Sequence, residues 1–179
     1  MRTALSAEVS DLVRSGEAAL GLRYFEDASA DLDCERLFDE PLVVIAAPTH
    51  PAASLQAAPL LALRGERWLA FPAAPGSEAA STVIFAQFLT RGCAEIDWRP
   101  IDSLTAQKRL VEAGMGLALL PESAVEEEVE AGRLRIVEIA DLTASNPVYL
   151  VTRRKGRLSE AAKRFAGELA TLYRSRSGA

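Results

Sequence analysis

Three serines stand where helices should begin: Ser6, Ser77 and Ser103. Each follows a loop or a strand end. The first amides of a helix lack partners within it and carry partial positive charge, so such a terminus can bind an anion. The same serines also suit ordinary N-caps, and the sequence leaves both roles open for each. Arg23 ends an apolar strand pattern and could hold a carboxylate through a bidentate fork. Asp102 works the other way. Beside Ser103 its charge repels an anion unless Arg23 or an amine on the ligand offsets it. Covalent chemistry has less to work with. The single histidine, His50, lies in a Pro-Thr-His-Pro turn, with no second histidine and no Ser-His-Asp spacing. No Gly-x-Ser-x-Gly elbow occurs. With one histidine and two well-separated cysteines, Cys34 and Cys93, no zinc spacing can be written. No catalytic residue, metal or cofactor is expected.

The strongest pattern around these residues is IDSLTAQKRLVEAGMGLALLP, residues 101–121. A short run at 97–101 reads as a strand. Asp102 and Ser103 then offer capping oxygens, and Ala106, Leu110 and Ala113 recur on one helical face, flanked by Leu104 and Val111. Gly114 follows, where a left-handed C-terminal cap prefers glycine. Leu117 to Leu120 is an apolar strand, and Pro121 fits the first turn of another helix. This predicts a strand-helix-strand unit with a parallel, right-handed crossover. Ligands of open α/β sheets bind beside the carboxyl ends of such strands.

The rest of the chain alternates in the same way. Residues 6–15 carry Val9, Leu12 and Val13 on one helical face, and Gly16 ends it. Residues 18–23, 34–38, 42–47, 68–71, 134–139 and 147–153 read as strands. The run at 42–47 is β-branched enough to be buried on both faces. A short helix is expected within 53–63, and longer ones over 77–91, 122–131 and from Ser159 onward. The last should bury Leu158, Ala162, Phe165, Leu169 and Leu172. The acidic run Glu126 to Glu128 reads as a solvated face. Arg153, Arg154, Lys155 and Arg157 form a basic cluster without interleaved aromatics, which reads as a solvated turn rather than a nucleic-acid surface.

Composition sets outer limits. The 179 residues are 49% hydrophobic and 25% charged, as in ordinary globular proteins. A net charge of -5 gives no overall basic field for nucleic acid. No apolar run reaches membrane-spanning length, the N-terminus does not read as a signal peptide, and the cysteines suit a reducing compartment. Cytoplasm is the expected location.

The stretch AGMGLALLPESAVEEEVEAGRL resembles the effector-binding domain of LysR-type transcriptional regulators. In that family a helix ends in a Gly-x-Gly turn, an apolar strand ends in Leu-Pro, and an acidic helix ends in Gly-Arg-Leu. The likeness runs from about Ser6 to Tyr173. The strand at 18–23 is similar to the family's Asp-Leu-Ala-Ile-Arg segment, with Ala19 in place of the usual aspartate. The resemblance implies an α/β fold of two Rossmann-like lobes of the periplasmic-binding-protein type II. Lobe I would comprise 1–66 and 144–179, and lobe II 67–143. It implies that the winged helix-turn-helix, its linker, and the first strand and helix of lobe I are missing from this chain, so DNA would be bound only through parts it lacks. It implies a small-molecule effector, a carboxylate by the helix-terminus argument, held between the lobes by Ser6, Arg23 and Tyr24 from lobe I and by Pro72, Ser77, Ser103 and Thr105, beside Asp102, from lobe II. Self-association is expected through the helix at 77–91, with Val83, Phe85 or Phe88 partly exposed. A transport solute-binding protein would share this fold, yet it requires export.

Overall fold

The computed structural model describes residues 2–72 and 80–176, with only the backbone described for 80–83 and 173–176. In chain order the elements are α1 (Ser6–Ser15), β1 (Leu20–Tyr24), β2 (Leu32–Ala46), β3 (Trp68–Ala70), α2 (Ala80–Thr90), β4 (Trp98–Pro100), α3 (Leu104–Glu112), β5 (Ala118–Pro121), α4 (Glu122–Glu130), β6 (Arg135–Val137), β7 (Ser145–Arg153) and α5 (Glu160–Arg176). They form two compact units, Met1–Glu40 with Asn146–Ala179, and Pro41–Ser145. The boundary differs from the one expected at residue 66. Residues 41–66 pack with the second unit because Leu42, Val44, Ala46, Leu60 and Leu63 share a core with Trp68, Phe88 and Leu117.

In the first unit β1 pairs antiparallel with β7, with Leu22 opposite Leu150. α1 covers one face through Val13, which packs with Leu32 and Val151. Gly21 permits this approach: a Cβ there would lie 2.4 Å from Val9 Cγ1. α5 covers the other face through Ala166 and Ala170, against Leu20, Leu37 and Leu150. The inner stripe of α5 is therefore narrower than expected. Phe165 and Leu172, expected to be buried, are 51% and 54% exposed. They are seven residues apart and share one flank, while the alanines face the sheet and let the helix approach it closely.

In the second unit the run from Leu42 to Ala47 is buried almost throughout. Leu42, Val44 and Ala46 enter one cluster, and Ile45 enters the other with Leu69, Val111, Leu120 and Val125. This run is not a separate strand. β2 continues through Pro41, an exposed residue at the passage between units, where a missing N–H costs little. The helix expected within 53–63 is instead two 3-10 turns, Pro51–Ser54 and Leu60–Leu63. Pro59 precedes the second and prevents one continuous helix.

The expected strand-helix-strand unit is present with one change. β4 pairs in parallel with β3, and β3 meets Leu117 by a parallel bridge, so β3 lies between β4 and the start of β5. The Gly-x-Gly turn accounts for this fit. Gly114 is left-handed at φ 74, and Met115 N–H donates to the Leu110 carbonyl at 3.0 Å, a Schellman closure. At Gly116 a Cβ would lie 2.6 Å from the Arg67 carbonyl oxygen, so only glycine lets Leu117 N–H reach that oxygen.

Candidate ligand-binding site

The expected site residues fall on both units. On the first, Ser6 does not cap α1: Leu5 occupies the N-cap position. The Ser6 hydroxyl instead accepts from Tyr24 N–H at 3.2 Å, tying the start of α1 to the end of β1. Arg23 was expected to hold a ligand carboxylate, but its carboxylate partner here is Asp27, four residues on. Nη1 donates to Asp27 Oδ2 and to Ser10 Oγ, both at 2.7 Å, and Nε donates to the Tyr24 carbonyl at 3.2 Å. Burial pushes the Asp27 carboxyl up, yet hydrogen bonds from Ser29 and Ser10 and the charge of Arg23 outweigh it and hold it at about 2. The Tyr24 hydroxyl donates to Glu40, and burial, then Glu40, pushes it well above the ordinary phenol range. These polar groups thus satisfy one another within the unit.

The second unit offers a different arrangement. Ser103 caps α3, its Oγ accepting from Ala106 N–H at 3.3 Å. The N–H groups of Leu104 and Thr105 have no acceptor among the described residues, as the first turn of a helix requires. Asp102, Ser103 and Thr105 are all exposed. Pro72 is exposed after β3. Ser77 lies outside the described residues.

Behind this terminus α3 is firmly seated. Gln107 is fully buried and its Nε2 donates to the Ile101 carbonyl at 2.8 Å, which fixes the helix start to the strand before it. Lys108 Nζ donates to the Ala124 carbonyl at 2.9 Å and pairs with Glu128 Oε1 at 2.7 Å. Glu128 was expected on a solvated face, but it is only 3% exposed. It lies three residues after buried Val125 and so shares its face, while Glu126 and Glu127 do point outward. The Lys108 hydrogen bond holds its carboxyl below the usual range against the opposing effect of burial. Sequence reasoning missed this pair. The available signal was a charge at a core spacing in each of two adjacent helices.

The other candidates for chemistry are accounted for locally. His50 Nδ1 accepts from Ala52 N–H at 3.1 Å and caps a turn, with Nε2 3.3 Å from Glu66. Both cysteines are free thiols, half-buried. Among the described residues no group of three His, Cys, Asp or Glu could hold a metal ion, and no helix is long and apolar enough to cross a membrane.

Comparison with known proteins bears directly on this arrangement. A family model described as "LysR substrate binding domain" matches residues 1–174. The chain belongs to that family. A curated relative, the RuBisCO operon transcriptional regulator of Allochromatium vinosum, is 31% identical over 76% of this chain and 44% of its own length. The chain spans less than half the length of the curated relatives it matches. Among solved structures, the regulatory domain of Synechocystis PCC6803 CcmR in complex with 2-PG is 22% identical with TM-score 0.79, covering 95% of this chain and 80% of that one. The BenM effector-binding domain with its effector benzoate is 20% identical with TM-score 0.78, covering 97% and 78%. At these identities the likeness establishes the fold, the α/β type II architecture of LysR substrate-binding domains.

Proposed function

We propose that this chain is the ligand-sensing part of a cytoplasmic LysR-type transcription regulator, and that it holds a small carboxylate effector without changing it chemically. The observation that carries this reading is the open start of α3: two amides with no acceptor among the described residues, a capping hydroxyl at Ser103 and a second hydroxyl at Thr105, on a helix fixed from behind by Gln107 and Lys108. A carboxylate placed there gains charge-assisted hydrogen bonds and the favourable helix field. The naming of benzoate as the effector of BenM supports the ligand class. Arg23, whose charge is paired with Asp27 at 2.7 Å, would contribute to a ligand only by sharing or exchanging that partner. In a whole regulator, DNA would be read by another part of the polypeptide, and ligand binding would act on it by favouring one conformation.

Self-association through α2 belongs to the same reading. Phe88 is fully buried against Trp68, contrary to the expectation that it could be exposed, and the ring centroids lie 5.6 Å apart. Phe85 is half-buried against Trp98. Among the described side chains of this helix, the exposed large apolar residue is Leu89, at 64%. The side chain of Val83 lies outside the described residues.

Asp102 tests the electrostatic part. Asp102→Asn removes the negative charge next to the α3 terminus and should tighten a carboxylate ligand about threefold at low salt, with the gain shrinking as salt rises. Calorimetric titration of benzoate at two salt concentrations measures this. Equal affinity for both proteins at low salt would show that the ligand does not sit at this terminus.

A further inference from the structure

The turn after β7 brings Arg153, Arg154, Lys155 and Arg157 together in a chain of net charge -5. The first three line a cavity of about 380 Å3 in the first unit, with Arg14, Asp31 and Gly156. Its charges are not all balanced. Arg14 Nε donates to Asp31 at 2.7 Å and Nη1 donates to Asp11 at 2.6 Å. Arg154 Nε donates to Asp33 at 2.8 Å and Nη2 donates to the Leu32 carbonyl at 3.1 Å. Arg153 and Lys155 have no carboxylate within ion-pair distance among the described residues. The cavity thus holds two cations without an offsetting charge.

Arg153 also lies over two glycines. A Cβ on Gly16 would lie 3.0 Å from its Nη1, and a Cβ on Gly156 would lie 2.9 Å from its Cβ. Gly16 is the left-handed cap of α1, so the guanidinium rests at the negative end of that helix, over a position with no side chain. The backbone beneath is tied down: Arg154 N–H donates to the Asp31 carbonyl and Gly156 N–H to the Arg153 carbonyl, both at 3.0 Å.

We propose that this cavity is a second anion site, built wholly within the first unit, that takes a phosphate or phosphate-monoester dianion. Two unbalanced cations match two negative charges. A guanidinium contributes a planar fork and an ammonium a point charge, and phosphate oxygens accept both. A monocarboxylate would leave one cation unmatched. Asp31 on the wall turns the anion away from Arg14 and toward Arg153 and Lys155.

The test titrates the chain with inorganic phosphate at fixed ionic strength, with acetate in parallel, by calorimetry and by thermal melting. Phosphate should bind and raise the Tm, and any acetate binding, which belongs to the α3 terminus, should be the same in the chain and in its Arg153→Gln, Lys155→Gln variant. Combining Arg153→Gln with Lys155→Gln should weaken phosphate about tenfold or more. Lys155→Gln alone removes an exposed side chain with no hydrogen bond or ion pair to lose among the described residues, so it should keep the fold and still lose affinity. A melt in phosphate-free buffer confirms that each variant is folded. No phosphate binding by the unmodified chain, acetate binding that falls in the Arg153→Gln, Lys155→Gln variant, or undiminished phosphate affinity in the folded Lys155→Gln chain would each overturn the proposal.

Discussion

Asp27 anchors the polar cluster of the first unit, and this gives it a pH signature. Its carboxyl sits at about 2 in the folded chain, below the ordinary 3.8. Its stabilising effect is therefore complete above the unfolded value and disappears as pH falls from about 5 to about 2. Asp27→Asn should cost about 2 kcal/mol at pH 7 and much less at pH 2.5, so the two urea-unfolding midpoints should converge on acidification. A difference that stays constant with pH would remove the charge from the explanation. Single residues also show where sequence reading ends. Gly114 and Ser103 were legible because their roles are local: a left-handed cap and a first-turn acceptor. Ser6 and Arg23 were not, because their partners, Tyr24 N–H and Asp27, depend on how α1 lies across β1 and how the chain turns after it.

At the scale of elements, α3 and α4 are joined by one buried ion pair. Lys108→Met would leave Glu128 without its main partner, with Arg133 at 4.0 Å the one other cation within ion-pair distance among the described residues. The expected loss is about 3 kcal/mol, mostly from the stranded carboxylate. Adding Glu128→Leu should restore most of it, because an apolar pair of similar volume leaves no buried charge. Denaturant unfolding of the two variants measures both steps, and additive losses would show that the pair is not coupled. The order of helices and strands was readable from apolar periodicity and from glycine and proline. The single long β2, the place of β3 between β4 and β5, and the two 3-10 turns were not, since strand partners and turn geometry are set by contacts far apart in sequence. The inner face of α5 was misread for a related reason: leucine and phenylalanine mark an apolar stripe, but alanine is what allowed close packing on the sheet.

For the whole molecule, the family and the α/β architecture were visible in the wording of residues 113–134, while the division at Glu40 became clear only from packing. Association is the first question at this scale. If α2 forms the contact between copies, Leu89→Glu should shift sedimentation at high concentration from a larger species to the monomer, without changing the melting temperature by more than about 2 °C, as expected for an exposed position. A monomeric parent chain would end that idea. The central claim is that α3 presents its N-terminus to a carboxylate. Its most direct test is calorimetry with a panel of small organic acids on the chain and on Ser103→Ala. The account predicts that at least one carboxylate binds and that the substitution weakens it about tenfold through the lost hydroxyl contact, beyond a capping cost of about 1 kcal/mol that appears in stability alone. A carboxylate that binds with unchanged affinity after the substitution would contradict it.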